Sequence, residues 1–585
     1  MNLTQFKETK YYVNKLVEDI HRGEIGLPEL QRPFVWPSVK VRDLFDSMYK
    51  GFPVGYLLLW VNGAEEHSRQ IGTNQKLSIP RLLVIDGQQR LTALYAIIKG
   101  QLVLTKDFVE KRIEIAFNPL DNTFEVADAA ICKDPSFIAN ISDVWSPETD
   151  IFEVVEKYSE RLGNTRDLTD QDISTIKKSL QKLHGLTNYP FTALELDSNL
   201  NEEQVSDVFV RINSKGTRLN QADFVLTLMS VFWEEGRKQL EKFSRNTRIP
   251  SSHDNTPYNY FLEPDPDDLL RVNVALGFRR AALHYFYPLL RGKDMETGTY
   301  SDVKREEQFG KLKAAQVRAL DLQNWKEFFK SIIKAGYRRG KYITSKMGLV
   351  YTYAIFLIGK TDFKLEPHRL RRLIARWFFM EALTGRYTNS PESQMESDMG
   401  GLRGLNNADD FEAHLEKIIH DTLTEDFWNI GLPNLLHSSA GWSPALYAYY
   451  ASLNLLEAKV LYSETEMKVS DLMDPVSSGK RSSLERHHLF PKNYLKKIGI
   501  TGTKEINQIA NYALVEWHDN KDILDKSPTE YVPRYEEMYS VQQLEKLYDW
   551  HALPLNWCQM EYGDFLERRR VLMAKIIRNG FDKLS

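Results

Sequence analysis

Apolar and polar positions along this chain follow two periods, one typical of strands and one typical of helices. Residues 82–85 form a short apolar run that ends at Asp86 and Gly87, as a buried strand entering a turn does. Apolar residues then recur at helical spacing, at Leu91, Leu94, Tyr95 and Ile98. Gly100 follows at a position suited to end the helix. The pattern therefore predicts a strand, a tight turn and a helix.

Further strand signals lie in the first 200 residues. Residues 112–117 and 123–126 flank turn residues and predict a hairpin, and residues 191–196 predict another strand. Helices are predicted for residues 150–186 and for the segment after Asn220, which is a good N-cap. We therefore expect a helix-rich, multidomain α+β protein with an α/β N-terminal domain and a helical middle.

Polar segments with prolines divide the chain. Residues 251–257 and 263–268 form such a break, which places one boundary near residue 240, and a vaguer boundary lies just before Leu432. We thus predict three domains: 1–240, 241–430 and 431–585. Residues 388–410, rich in Ser, Asn, Asp and Gly, are predicted to be a substrate-sensing loop or only an exposed connection.

Composition fits a large protein of the cytoplasm. Hydrophobic residues make up 42% of the chain and charged residues 27%, which is ordinary for globular domains. The two cysteines, Cys132 and Cys558, are too few for a disulfide framework or a multi-cysteine zinc site, so a reducing compartment is expected. The N-terminus lacks the apolar core of a signal peptide, and no apolar run could span a bilayer. We expect no membrane association.

The segment with the most chemistry contains two adjacent histidines, His487 and His488, followed by Pro491 and later by Asn511 and Asn520. Hydrolysis of a phosphodiester near neutral pH needs a base that deprotonates water and a divalent ion that offsets charge on the phosphate. Neighbouring side chains on an extended strand point to opposite faces, so two adjacent imidazoles can divide these tasks. The alternative is that the histidines simply mark a turn beside the proline.

On the nuclease interpretation, His487 binds the metal and His488 is the general base, since an unperturbed histidine pKa of about 6.5 suits that task. Asn511 either bonds a backbone carbonyl across the hairpin or orients the base. Asn520 offers the ion a neutral oxygen, and His518 could replace it. Oxygen-rich, open coordination favours Mg²⁺ or Mn²⁺ over zinc.

Basic charge is local, because the formal net charge of the whole chain is −4. Between residues 480 and 497 there are six basic residues and one acid, Glu485. Phosphate contacts supply most of the sequence-independent affinity for DNA, so DNA is expected here. The expected contacts are Lys480, Arg481, Arg486 and Lys492. Most charges of residues 568–578 are instead expected to be solvated, on a docked terminal helix.

A second candidate site follows the strand at residues 82–85. Gly87 lies between a strand end and a helix start, where backbone amides and the helix dipole attract anions. Arg90 would add a forked donor for phosphate, and Asp86 could act through a metal or hold a water. The simpler alternative is a structural corner, in which Asp86 caps the helix and Arg90 forms a surface ion pair.

Two family resemblances connect these sites. His487, His488, Pro491, Asn511 and Asn520 resemble the motif of HNH, or ββα-metal, endonucleases. The series comprising residues 27–36, 52–55, 81–95 and 209–220, with its Asp-Gly-Gln-Gln-Arg signature, resembles the N-terminal domain of GmrSD-type modification-dependent restriction enzymes, a ParB-like fold. The order of segments is that of the single-chain form, in which a nuclease of the HNH kind follows, here embedded in helices.

The resemblance implies a nucleotide-binding and nucleotide-hydrolysing site for ATP or GTP. Its candidate residues are Gln31, Arg32, Asp86, Gly87, Gln89, Arg90, Arg211 and Asn213. The apolar helical face of residues 205–212 leaves Arg211 off that face, where simple solvation is the alternative. The nucleotide triphosphate would control DNA cleavage by coupling two distinct sites.

The biological role implied is bacterial defence, in the cytoplasm, against phage whose double-stranded DNA is modified, for example with glucosylated hydroxymethylcytosine. A homodimer is expected, because a two-fold pair is the commonest soluble assembly. Two alternatives stay open. One is a phosphorothioate-sensing nicking enzyme of the same architecture; the other is a nuclease-inactive, nucleotide-switched DNA-binding protein.

Overall fold

The computed structural model divides the chain into two compact units, Met1–Glu234 and Glu235–Ser585. The predicted boundary near residue 430 lies inside the second unit, and the three-domain division stays a prediction. The structure describes residues 4–28, 34, 36–61, 68–69, 80–105, 110–146, 148, 150–200, 204–205, 208, 212, 222, 225–226, 229, 232–251, 255–290, 292–293, 301–463, 466–474, 485–515 and 526–585.

The strands of the N-terminal unit are short and precede or alternate with helices. They are β1 Phe6–Tyr12, β2 Ile25–Pro28, β3 Leu57–Val61, β4 Ser68–Arg69, β5 Leu82–Asp86, β6 Val103–Leu104, β7 Glu110–Lys111, β8 Ile115–Asn118, β9 Thr123–Val126 and β10 Pro190–Leu196. Its α-helices are Val13–Arg22, Ser38–Tyr49, Gln88–Ile98, Ile151–Gly163 and Asp170–His184. The predicted hairpin is confirmed as the antiparallel pair β8 and β9.

Six of these strands form one mixed sheet in the order β1-β10-β3-β5-β2-β4. The pairs β10–β3 and β2–β5 are parallel, and the others are antiparallel. Alternate residues of β5 enter two different hydrophobic clusters, Leu82 and Val84 in one, Leu83 and Ile85 in the other. Because both faces of β5 are buried, the strand needs an unbroken apolar run, which explains the pattern at residues 82–85.

The C-terminal unit is mainly helical. Its helices are Glu234–Thr247, which begins at the last residue of the first unit, Pro266–Phe278, Leu283–Leu290, Asp302–Ala319, Leu322–Lys334, Lys346–Leu357, Pro367–Thr384, Pro391–Gly401, Ala408–Thr422, Leu432–Leu435, Pro444–Leu455, Val469–Met473, Lys492–Lys497, Thr503–Ile506, Pro528–Glu536, Val541–Trp550 and Tyr562–Asp582. Its strand pair consists of β11 Glu485–His488 and β12 Tyr512–Val515.

The prediction of a loop or exposed connection at residues 388–410 is wrong, because most of this segment is helical. The helix Pro391–Gly401 begins with a proline in its first turn and buries Met395 and Met399 one turn apart. Glu392 and Glu396 are anchored by backbone N–H groups of residues 281–283. Its polar residues therefore face the protein as well as the solvent.

The described helices contain no segment long and apolar enough to cross a membrane.

Candidate functional site

The adjacent histidines lie on a short antiparallel strand pair. His487 faces Ala513 and His488 faces Tyr512 across the pair, and the ladder continues where the Leu489 N–H donates to the Asn511 carbonyl at 2.8 Å. The imidazole of His487 is buried, with its ring perpendicular to that of Tyr531 at a centroid distance of 6.0 Å. The two imidazoles are thus held on one rigid element, on opposite faces.

The imidazole of His488 is held by a neighbouring amide. Its Nε2 lies 3.0 Å from the Oδ1 of Asn507, and its ring lies 4.8 Å from that of Tyr512. An amide oxygen can only accept, so Nε2 carries the proton and the lone pair is on Nδ1. Burial lowers the pKa of His488 below its ordinary value; the Asn507 bond opposes this, and the charge of Lys492 adds to it. The lowered pKa favours the neutral imidazole, which is the form that can accept a proton.

Asn511 fixes the backbone around the histidines. Its side chain is fully buried; Oδ1 accepts from the Phe490 N–H at 2.8 Å, and Nδ2 donates to the carbonyls of Phe490 and Ile506, each at 3.1 Å. Of the two alternatives for Asn511, the structure places it on backbone groups. Orientation of the His488 ring falls to Asn507, which sequence reasoning missed because no spacing rule connects it to His488.

Arg569 supports the same loop from the C-terminal helix Tyr562–Asp582. Its Nη1 donates to the carbonyls of Ala510 at 2.7 Å and Tyr512 at 2.8 Å, on either side of Asn511. Its Nε and Nη2 donate to the carbonyl of His551 at 3.3 and 3.1 Å. No carboxylate in the described part of the protein pairs with this guanidinium, and burial lowers its pKa.

Arg569 is an exception to the expectation that most charges of residues 568–578 are solvated, because it is 0% exposed. A signal was present in the sequence. Arg569 lies four residues from both Phe565 and Met573, so it belongs to the apolar stripe of the helix and not to its polar face.

The predicted metal ligands are described only in part. Asn520 and the alternative His518 lie outside the described residues. Of the predicted ligands, the structure therefore describes His487, which is buried. The described residues contain one group of three acids able to converge on an ion, Asp265, Asp267 and Asp268. Lys346 lies 2.6 Å from both Asp265 and Asp268, and these two aspartates form a helix capping box, so a structural role accounts for the group.

The predicted DNA contacts are also only partly described. Lys480 and Arg481 lie outside the described residues, and for Arg486 the structure describes only the backbone of β11. Lys492 is exposed and begins the helix Lys492–Lys497, two residues after the loop that Asn511 holds. Its charge acts on His488, which places at least one cation close to the candidate base.

The N-terminal corner has the predicted strand–turn–helix form. β5 ends at Asp86, Gly87 adopts a φ of 96°, and the helix Gln88–Ile98 follows. A Cβ at Gly87 would lie 2.4 Å from the Leu57 side chain, so the turn requires glycine both for its φ and for its space. Gly100, just past the helix end, also has a positive φ.

Arg90 is engaged within the corner. Its Nη2 lies 3.2 Å from Asp86, its Nη1 donates to the Val54 carbonyl at 2.8 Å, and its side chain is 14% exposed. A Cβ at Gly55 would lie 2.6 Å from this guanidinium, so the Gly55 turn is closely packed against it. The ion pair of the structural alternative is thus present, although it is largely buried, and Asp86 does not cap the helix.

The other predicted nucleotide contacts are mostly not described. Gln89 lies half-buried in the first turn of the helix after Gly87. Gln31, Arg32, Arg211 and Asn213 lie outside the described residues. The described corner therefore places Asp86, Gly87, Gln89 and Arg90 within five consecutive positions, at the junction of a strand and a helix N-terminus.

Comparison with known proteins gives two findings. The chain is 23% identical to the uncharacterized protein MJ0686 of Methanocaldococcus jannaschii, over an alignment of 607 residues that covers 97% of this chain and 93% of that protein. Residues 13–230 match the family described as "GmrSD restriction endonuclease, N-terminal domain". This match spans β5, the Gly87 turn and the Arg90 ion pair, so the N-terminal unit is similar to the N-terminal domain of that family.

Proposed function

We propose that this protein is a DNA endonuclease that depends on a divalent metal, is regulated by a nucleotide triphosphate, and cleaves modified phage DNA in bacterial defence. The family of its N-terminal domain supports a restriction function and DNA as the partner. The observation that carries the nuclease assignment is the imidazole of His488, oriented by Asn507 beside a loop that Asn511 and Arg569 fix. This is the geometry that a general base requires, an accepting nitrogen on a rigid element.

In the proposed reaction, His488 Nδ1 accepts a proton from water while the water oxygen forms a bond to phosphorus. The bond from phosphorus to the leaving oxygen breaks, that oxygen takes up a proton from bulk water, and His488 then releases its proton to bulk water. Asn507 keeps the imidazole in the tautomer whose lone pair is on Nδ1. Lys492 adds positive charge beside the site, which favours the approach of a phosphate.

His487, together with Asn520, would hold Mg²⁺ or Mn²⁺. An imidazole nitrogen and an amide oxygen, with further positions left for water and phosphate oxygens, are suitable donors for such an ion. The ion would supply charge stabilisation at the phosphate and the leaving oxygen. Because His487 and His488 are consecutive on β11, the strand pair fixes the backbone of the residue that would bind the ion relative to that of the base.

The corner of Asp86, Gly87, Gln89 and Arg90 would bind ATP or GTP. A helix N-terminus after a glycine turn attracts phosphate, and the match of residues 13–230 supports a GmrSD-type N-terminal domain here. Arg90 already bonds Asp86 and Val54, so we propose that it braces the turn and that nucleotide phosphates are read mainly by the helix N-terminus. Nucleotide binding or hydrolysis would regulate cleavage, and a homodimer would allow two centres to cut two strands.

The proposed function is tested by incubating the full chain with phage DNA that carries glucosylated hydroxymethylcytosine, and with unmodified DNA, in Mg²⁺ or Mn²⁺ with and without ATP or GTP. We expect cleavage that requires the metal, increases with a nucleotide and prefers the modified DNA. Equal cleavage of both DNAs would refute the specificity. Cleavage that no nucleotide changes would refute the regulation, and absence of any cleavage would refute the nuclease assignment.

A further inference from the structure

A cavity of the C-terminal unit lies beside the strand pair that carries the histidines. It has a volume of about 310 Å³ and is lined by Lys459, Val460, Ser463 and Glu466 on one side and by Tyr539, Ser540 and the helix Val541–Trp550 on the other. We call it the Trp550 pocket; the residues that matter here are Lys459, Tyr539, Gln542, Lys546 and Trp550. Its volume is at the lower end of the range of about 300–1,000 Å³ that is typical of small-molecule sites.

The lining combines an aromatic surface with a cation and an amide. The ammonium of Lys546 lies 4.8 Å from the centre of the Trp550 ring, and no carboxylate among the described residues pairs with it. Lys459 is paired with Glu466 at 2.7 Å. The exposed carboxamide of Gln542 makes no hydrogen bond to the described part of the chain. An aromatic face, an ammonium without a carboxylate partner among the described residues and an amide are groups that can together contact the base and the phosphate of one nucleotide.

The pocket is joined to the candidate nuclease loop by consecutive hydrogen bonds. The Leu461 N–H donates to the Leu514 carbonyl of β12 at 3.2 Å, so the wall of the pocket lies against the strand that pairs with β11. On the other side, the ring of the buried His551 donates from Nε2 to the Lys459 carbonyl at 2.8 Å. The His551 carbonyl in turn accepts from Arg569, which bonds the backbone on both sides of Asn511.

We propose that the Trp550 pocket binds one nucleotide, with the base against Trp550 and the phosphate at Lys546, and that its occupancy is communicated to the His488 loop through His551 and Arg569. The effect of binding on the His488 loop rests on the proposed nuclease function, whereas the binding of the nucleotide does not. The nucleotide has two possible sources, a base extruded from the DNA being cut or a free nucleotide.

The test measures binding to the full chain in EDTA, so that no cleavage takes place. The probes are the four deoxynucleoside 5′-monophosphates and a 20-base-pair duplex with one mispaired 2-aminopurine. We expect Trp550→Ala to weaken binding of one of these probes roughly tenfold or more, as loss of one stacking contact does. Trp442→Ala is the matched control, since this exposed tryptophan of the same unit lies outside the pocket.

The outcome also identifies the source. Tight binding of a monophosphate that depends on Trp550 identifies a free nucleotide. A change of 2-aminopurine fluorescence that Trp550→Ala removes identifies an extruded base. Equal behaviour of Trp550→Ala and Trp442→Ala with every probe overturns the proposal.

A second variant guards against misfolding. Lys546→Ala, at an exposed position, should also weaken binding of the probe that depends on Trp550. Lys575→Ala, at an exposed position of the C-terminal helix, should leave that binding unchanged. The nuclease assignment is tested separately by cleavage with the His488→Ala variant. Trp550-dependent binding without any DNA cleavage would refute the proposed function and support the nucleotide-binding pocket. Cleavage without Trp550-dependent binding would support the proposed function and refute the pocket.

Discussion

Replacement of Arg569 by methionine should destabilise the C-terminal unit and impair the His488 loop. Methionine keeps much of the length and the apolar stem but removes every donor. The carbonyls of Ala510, Tyr512 and His551 then lose their charged partner in a part of the protein where Arg569 itself is 0% exposed. A buried acceptor left without a donor costs about 1–3 kcal/mol.

The net effect is smaller than the sum over three carbonyls, because the variant no longer has to bury a guanidinium. Removal of one partner from a buried, charged hydrogen-bonded group typically costs about 3–5 kcal/mol. We therefore expect the free energy of unfolding to fall by about 3 kcal/mol. The free energy of unfolding of a domain is about 5–15 kcal/mol, so the variant should still fold.

The assay is urea denaturation followed by tryptophan fluorescence, with cleavage rates measured under folded conditions. The neighbouring Arg568→Met is the matched control, because Arg568 is exposed on the same helix and should change stability by less than about 0.5 kcal/mol. Arg569→Lys should be intermediate, since one ammonium replaces a fork that spans two carbonyls. If Arg569→Met is as stable and as active as Arg568→Met, the assigned role of Arg569 is wrong.

Three further predictions concern Asn507, His551 and the Asp86 corner of the N-terminal unit. Asn507→Ala should lower kcat roughly 10–100-fold and move the acid limb of the pH–rate profile to lower pH, because the Asn507 bond raises the pKa of His488 and the neutral imidazole is the active form; an unmoved limb would contradict this. Burial lowers the pKa of His551 to about 4, so the unfolded chain binds the proton more readily, and stability should fall by about 3 kcal/mol as pH drops from about 6.5 to about 4. In His551→Gln this contribution to the pH dependence should be absent from urea titrations, and the prediction fails if the two pH curves are parallel. Asp86→Ala should abolish stimulation of cleavage by ATP or GTP while metal binding by isothermal titration stays intact, and unchanged stimulation would remove the proposed coupling.

Local patterns in the sequence predicted local structure well. For residues 82–100 the strand, the turn and the helix lie where the sequence predicts them, because a strand buried on both faces is an unbroken apolar run and the following helix has large apolar residues at helical spacing. Residues 388–410 were misassigned for the opposite reason. Their many Ser, Asn, Asp and Gly residues suggest a loop, whereas Met395 and Met399 dock the segment as a helix through contacts that composition does not reveal.

The candidate site was predictable only for residues that belong to a motif. His487, His488 and Asn511 stand at recognisable spacing, and the structure brings them onto one strand pair and its adjoining loop. Asn507 and Arg569 contribute through long-range contacts, 19 residues from His488 in one case and 57 residues from Tyr512 in the other. Such contacts depend on the packing of the whole unit, and an arginine is assigned to the surface by default.

The central claim is that His488 is the general base of a metal-dependent nuclease. The most direct measurement is the single-turnover cleavage rate of modified phage DNA with Mg²⁺ or Mn²⁺ for the wild type, His488→Ala and His420→Ala, a control whose imidazole is exposed in the same unit. We predict that His488→Ala loses at least a hundredfold in rate while DNA binding is retained, and that His420→Ala cleaves like the wild type. Equal cleavage by wild type and His488→Ala would contradict the account.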